Sequence, residues 1–234
     1  MNIVITGGSK GMGKALAAKF AVAGNRIFIC ARNENDLFKA ASEINSEAKE
    51  TQVQYFAADL SIKSSAEKFT KWLQEQRIIP DILINNAGDF KPGSIYNEIE
   101  GTLEEMVAVN LYSAYYVTRA FLPQMMERKS GHIFNMCSIA ALAAYKNGGS
   151  YSISKYALMG FSKNLREELK PFNIKVTTVY PGAVYTSSWA DAGLAPERIM
   201  EVNDISEMIY TASLLSPQAC VEDIIIRPQL GDLP

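Results

Sequence analysis

Asn2-Ile3-Val4-Ile5-Thr6-Gly7-Gly8-Ser9-Lys10-Gly11-Met12-Gly13-Lys14-Ala15-Leu16 is the stretch on which the fold turns. An apolar, β-branched run ends at Thr6, glycines recur as Gly7-x-x-x-Gly11-x-Gly13, and good helix formers follow at once. Strand, glycine turn and helix in that order aim backbone N–H groups and the positive end of a helix dipole at one spot, which suits a phosphate. At ordinary glycine usage the spacing arises by chance roughly 0.08 times in a chain of this length. A turn whose glycines serve conformation alone is therefore the weaker reading.

The alternation begun there continues along the chain. Strands are expected at Asn2 to Thr6, Arg26 to Ala31, Gln52 to Ala57, Asp81 to Asn85, Gly131 to Ser138, Ile174 to Tyr180 and Asp223 to Arg227. Helical periods fall near Gly11 to Ala23, Glu34 to Ala48, Ser64 to Glu75, Leu103 to Arg128, Ser150 to Leu169 and Asn203 to Leu214, each long enough for a crossover. Right-handed crossovers between successive strands make this an α/β, doubly wound Rossmann fold, with a seven-stranded, mostly parallel sheet and helices on both faces. Ligands of such sheets bind beyond the carboxyl ends of the strands. The irregular stretch from Gly182 to Pro196 follows the sixth strand and reads as a lid. No repeat or linker divides residues 1–234, which read as a single domain.

Composition narrows the function. The chain is 48% hydrophobic and 21% charged, enough to bury a core, and its 23 basic and 25 acidic residues leave a net charge of −2. With no basic run, neither nucleic acid nor an anionic membrane is an expected partner. No apolar stretch is long enough to span a bilayer and no signal peptide is apparent. Three widely spaced cysteines and one histidine, His132, make neither a disulfide framework nor a metal site, and a reducing, cytoplasmic setting is expected. The same count leaves His132 as the only imidazole for a Ser-His-Asp or Cys-His catalyst.

Gly8-x-x-x-x-Gly13-Lys14 also matches the phosphate loop of a nucleotide hydrolase, but the next residue is Ala15, where that loop needs a hydroxyl for Mg²⁺. A dinucleotide fits better. The end of the second strand reads Ile29-Cys30-Ala31-Arg32, without the carboxylate that would accept from the adenosine ribose of NAD. Arg32 and Lys10 provide two cations for the 2′-phosphate of NADP(H). The bland alternative is that Arg32 ends a strand and Lys10 is solvated.

Tyr151-Ser152-Ile153-Ser154-Lys155 places a phenol and an ammonium at i and i+4 on one helical face. A cation there would lower the phenol pKa and fit it to give a proton to a carbonyl oxygen or take one from an alcohol. Chance supplies Tyr-x-x-x-Lys in roughly half of such chains. Ser138 adds weight, because it ends a strand on the cofactor side and its hydroxyl could hold a substrate oxygen; a helix cap is the other reading.

On these residues the chain resembles the short-chain dehydrogenase/reductase family, in its compact form, along essentially its whole length. Thr6-Gly7-x-x-x-Gly11-x-Gly13 resembles the family's cofactor loop, Asn85-Asn86-Ala87-Gly88 its strand-end motif, and Tyr151-x-x-x-Lys155 with Ser138 its active site. The resemblance implies cofactor contacts from Gly7, Ser9, Lys10, Gly11, Met12, Gly13, Arg32, Asp59, Leu60, Asn86, Ala87 and Gly88. It implies more from Tyr151, Lys155, Pro181, Gly182, Val184 and Thr186, with Asp59 at the adenine and Pro181, Gly182 and Thr186 at the carboxamide. For Asn110 it implies a kinked helix whose freed carbonyl helps hold a water linking Lys155 to solvent.

The implied activity is reduction of a small or medium carbonyl compound by NADPH, with Asn110, Ser138, Tyr151 and Lys155 as the catalytic set and no metal. A non-catalytic NADP(H) sensor and a 3-oxoacyl thioester reductase are the alternatives. The segment Ile224-Ile225-Ile226-Arg227-Pro228-Gln229-Leu230 lacks the glycine-rich turn of the family's acyl-chain reductases and counts against the second. Tyr185, Trp189, Leu194 and Met200 beside Arg198 would form apolar substrate walls, with Arg198 either reading a carboxylate or solvated. Surplus apolar faces around Leu111, Tyr112, Tyr115 and Tyr116, and along Leu158, Phe161, Leu165 and Leu169, point to a homodimer or homotetramer.

Overall fold

A computed structural model describes residues 1–48, 52–186 and 195–233. Seven strands, β1 (Asn2–Thr6), β2 (Arg26–Ala31), β3 (Val53–Ala57), β4 (Ile82–Asn85), β5 (Gly131–Met136), β6 (Ile174–Pro181) and β7 (Asp223–Ile226), form one sheet in the order β3-β2-β1-β4-β5-β6-β7. All six pairings are parallel, so the sheet expected to be mostly parallel is wholly so. The chain winds from β1 out to β3, crosses back to β4 and winds the other way. The switch point therefore lies between β1 and β4, where a crevice opens beyond the carboxyl ends of the strands.

The helices are α1 (Gly11–Val22), α2 (Glu34–Glu47), α3 (Lys63–Glu75), α4 (Thr102–Val107), α5 (Ser113–Arg128), α6 (Gly149–Leu169) and α7 (Val202–Ser213). Side chains alternate across a strand, so one apolar run feeds two cores. Ile3, Ile5, Ile27 and Ile29 meet Leu16, Phe20, Leu37 and Ile209 of α1, α2 and α7. Val4, Phe28 and Leu83 meet Phe69, Phe121 and Leu165 of α3, α5 and α6. Burial on both faces explains why the strands read as continuous apolar runs.

The helix expected from Leu103 to Arg128 is present but changes type at Asn110, where a kink was expected. A π turn over Ala108–Tyr112 separates α4 from α5, and the Val109 carbonyl accepts the Ser113 hydroxyl at 2.6 Å. Two polar clusters are buried in the sheet. Asn85 Nδ2 donates to Thr118 Oγ1 and to Asn135 Oδ1, both at 2.8 Å, and Asn135 Nδ2 donates to Ser162 Oγ at 2.8 Å. His132 Nε2 lies 2.7 Å from Thr177 Oγ1, whose single hydrogen goes to the Val221 carbonyl at 2.6 Å. His132 is thus the donor, with its hydrogen on Nε2. Buried at β5 among sheet residues, it is no part of a triad. Among the described residues no helix is long and apolar enough to cross a membrane.

Candidate active site

The glycine loop owes its shape to close approaches. Gly7 has φ +66° and Gly11 φ +53°, which side chains disfavour. A Cβ on Gly13 would collide with the Gly7 carbonyl, and one on Gly8 would come within 2.6 Å of Ile29. Thr6 and Asn86 stitch the loop across the switch point. The Thr6 hydroxyl accepts the N–H groups of Asn86 and Ala87, each at 2.9 Å, while Asn86 Nδ2 donates to the carbonyls of Thr6 and Gly7 at 3.0 and 3.1 Å.

At the start of α1, Lys10 occupies the N-cap in extended conformation, no side chain caps the helix, and the first turn holds no acid. An anion fits such a terminus, and that is the observation by which these residues suit a dinucleotide phosphate. Lys14, the residue on which the nucleotide-hydrolase reading depends, instead pairs with Glu43 of α2. Thr186 lies across from Gly11, its Cγ2 3.3 Å from where a Cβ would stand.

The other expected cofactor residues ring the same crevice in different ways. Ser9 and Met12 lie in and beside the loop, and Arg32 at the end of β2 approaches Asp89 across it at 3.7 Å. Asp59 commits Oδ1 to the Ser61 N–H and hydroxyl, at 3.0 and 2.6 Å. Leu60 and Val184 are core residues, 4% exposed, so any contact of theirs with a ligand falls to the main chain. Pro181 ends β6, and the Gly182 N–H donates to the Ile226 carbonyl at 2.8 Å.

The catalytic set converges at the carboxyl ends of β4 and β5. Lys155 is buried, its Nζ donates to the Met136 carbonyl at 3.0 Å, and its own carbonyl accepts from Cys137 Sγ at 3.3 Å. Ser138 follows β5, and its hydroxyl accepts the Ala140 N–H at 3.1 Å, so it does cap a short 3₁₀ turn while standing beside the Tyr151 phenol. Asn110 is wholly buried in the π turn. Its Nδ2 donates to the Asp89 carbonyl at 3.1 Å and to Ser154 Oγ at 2.9 Å, and its Oδ1 accepts the Asp89 N–H at 3.0 Å. Gly88 fits between them: a Cβ there would lie 2.8 Å from Asn110 Oδ1 and 3.5 Å from Lys155 Nζ.

One expectation needs correcting. Proximity to Lys155 is not what governs the Tyr151 phenol, because burial pushes its pKa above the ordinary value of a tyrosine, with Ser138 acting the other way. Burial likewise pulls Lys155 down and raises the neighbouring Cys137 thiol. The ammonium stands 5.8 Å from the centre of the Tyr151 ring, over its face.

Arg198 is not simply solvated. Its guanidinium donates to the carbonyls of Gly231 and Asp232, both at 2.9 Å, and so fastens the last segment to the base of the loop after β6. Met200 is a core residue at 8% exposure, aligned with Val184 by an isolated parallel bridge, whereas Tyr185 is exposed. Trp189 and Leu194 lie outside the described residues, as does most of the expected lid.

Residues 1–196 match the family described as short chain dehydrogenase. The chain belongs to the short-chain dehydrogenase family. This short-chain dehydrogenase is 30% identical to sepiapterin reductase of Chlorobaculum tepidum, over 99% of the chain and 97% of that protein. It superposes with a TM-score of 0.90 on an alcohol dehydrogenase from the archaeon Thermococcus sibiricus solved with 5-hydroxy-NADP, at 26% identity over 100% and 98% of the two chains. A serine dehydrogenase solved in closed form with NADP⁺ gives 0.88 at 26% identity, over 100% and 97%. The protein is accordingly an oxidoreductase of the type that binds a nicotinamide dinucleotide, on the Rossmann fold described above.

Three residues of the site escaped the sequence reading as functional groups: Gly8, packed on Ile29; Phe90, whose ring meets Tyr151 edge-on at 4.8 Å; and Ser154, which receives Asn110; Thr6, already in the cofactor-loop motif, serves as a donor-collecting hydroxyl. Only Thr6, at a strand end before glycines, had a local signal.

Proposed function

We propose that this short-chain dehydrogenase is an NADPH-dependent reductase that takes a small or medium carbonyl compound to its alcohol, reversibly. The observation that carries the reading is the convergence of Tyr151, Ser138 and Lys155 where β4 and β5 end, on the same edge of the sheet as an uncapped glycine-loop helix. The dinucleotide, when bound, supplies hydride to the substrate carbon. Tyr151, held protonated by burial, gives its phenolic proton to the substrate oxygen as charge develops there. The Ser138 hydroxyl donates a hydrogen bond to that oxygen. Lys155 would hold the nicotinamide ribose from its tether on Met136 and favour the phenolate that remains. Asn110 keeps the loop after Gly88 against α6.

Preference for NADPH rests on Arg32 and Lys10, with no carboxylate at the end of β2, and is supported by the NADP-type ligands of the two structural neighbours. The apolar, exposed Phe90 beside Tyr151 favours a substrate with an apolar or planar group. Assembly through the outer faces of the π turn, α5 and α6 is supported by exposed Tyr112, Tyr115, Ile153 and Tyr156, whereas Leu158, Leu165 and Leu169, expected on that surface, are buried in the core of the single chain.

The test is NADPH absorbance across a panel of aldehydes, diketones and aryl ketones, with Tyr151→Phe as control. Turnover that depends on Tyr151 supports the reading. NADPH binding with no turnover on any carbonyl would leave a dinucleotide sensor instead.

A further inference from the structure

Between β4 and α4 the chain runs out over the site and returns to touch α6 at its first turn. There Glu98 takes both donors of one residue: Oε1 accepts the Ser150 N–H at 2.8 Å and Oε2 the Ser150 hydroxyl at 2.5 Å. The next residue is Tyr151. The helix has no cap of its own, since Gly148 at the N-cap carries no side chain and the first turn holds no acid. Its first N–H groups would otherwise be orphans, and the turn that bears the phenol would fray.

Space for the carboxylate is provided by two glycines. Gly149 has φ +36°, and a Cβ there would collide with Glu98 Oε1 and the Gly93 carbonyl; a Cβ on Gly93 would come within 2.7 Å of Glu98 Cγ. The same loop is fastened twice more, by the Gly93 N–H to the Asn147 carbonyl at 3.1 Å and by Ser94 Oγ to Asn147 Oδ1 at 2.7 Å. Its near end is held by Asn110 on Asp89, and between the fastenings Phe90 packs on Tyr151.

We infer that Glu98 is a positioning residue for Tyr151: by clamping Ser150 it keeps the first turn of α6, and with it the phenol, in reach of the substrate oxygen beside Ser138. The inference rests on the proposed role of Tyr151 as proton donor. Proton transfer needs heavy atoms within about 3.2 Å, and a displacement of about 1 Å costs on the order of a hundredfold in rate. The clamp works through acceptor geometry rather than charge. A glutamine in its place would still accept the Ser150 N–H and donate its amide to the hydroxyl.

The experiment compares wild type, Glu98→Ala, Glu98→Gln, Ser150→Ala and Tyr151→Phe with NADPH and the carbonyl compound of the panel that wild type turns over fastest, ethyl benzoylformate being the aryl ketone included. Glu98→Ala is expected to lower kcat about tenfold or more, with KM and the NADPH Kd within about twofold. Glu98→Gln should restore most of kcat. Ser150→Ala, which removes only the hydroxyl half of the clamp, should lower kcat about threefold and serves if Glu98→Ala does not fold.

Full activity of folded Glu98→Ala alongside an inactive Tyr151→Phe would overturn the inference and leave the proposed function intact. A loss that merely tracks the fraction unfolded in a thermal melt, or one that Gln does not rescue, would also overturn it. Retained activity of Tyr151→Phe, or a wild type that turns over no carbonyl, would remove the reading beneath it.

Discussion

Lys155 Nζ donates to the main-chain carbonyl of Met136 at 3.0 Å, which ties the side chain of α6 to the last residue of β5. The amine is thereby held over the Tyr151 ring. Burial raises the pKa of the Tyr151 phenol and lowers that of the Lys155 amine.

Because the Tyr151 pKa lies above the ordinary value, the phenol of the free protein is protonated throughout the neutral range. The reductive direction, which consumes that proton, should show kcat/KM flat across neutral pH and falling only in alkali. The oxidative direction should rise with pH. Tyrosinate difference spectra of wild type and Tyr151→Phe should superpose below about pH 10; a wild-type phenolate signal near neutrality would contradict the assignment.

Removal of the hydroxyl itself, in Tyr151→Phe, should cut turnover by about a hundredfold or more. The NADPH Kd should stay within about twofold, since the ring and its Phe90 contact are kept. Steady-state rates and fluorescence titration measure the two quantities separately.

Gly88→Ala would push a methyl group to 2.8 Å from Asn110 Oδ1 and toward Lys155 Nζ. The expected result is a fall in kcat/KM of about tenfold or more together with a lower Tm, because both partners are buried and have little room to yield. Unchanged kinetics would mean that the contact between the β4 loop and α6 is looser than described.

Arg32→Ala should weaken NADPH about tenfold or more while leaving NADH nearly unaffected, as expected for the loss of a charge-assisted bond to a 2′-phosphate. Equal losses for both cofactors would assign Arg32 to the strand end alone. The residue is free to turn, being exposed and only loosely paired with Asp89.

His132 makes a stability prediction independent of activity. Burial, and secondarily the Lys175 charge, push its pKa down to about 3 from 6.5. Its contribution is complete above pH 6.5 and is lost as pH falls toward 3, because the unfolded chain then binds a proton that the folded chain does not. The slope reaches about 1.4 kcal/mol per pH unit. Urea unfolding between pH 7 and 4 should show this fall, and His132→Gln should remove much of it.

The fold was legible because its signals are local. Most strands are short apolar runs, β1, β2, β4, β6 and β7 closed by glycine, arginine or asparagine, and the helices carry their own period, so that even the ends of β1 and β2 agree with the reading. The break at Ala108–Tyr112 was not legible in periodicity, since a π turn adds only one residue per turn to an otherwise helical pattern. The partners of Arg198 were not legible either, because they are main-chain carbonyls some thirty residues away, which no side-chain pattern announces.

Spacing along the chain determined the alternation of strands and helices, the glycine loop at the end of β1 and the pairing of Tyr151 with Lys155, for all three depend on neighbours within a few positions. Only the tertiary structure decided what surrounds them: the burial that keeps the phenol protonated, the Met136 tether, the Asn110 bridge and the Glu98 clamp on Ser150. Those contacts join positions 19 to 52 residues apart. Desolvation and long-range hydrogen bonds exist only once the chain has closed on itself.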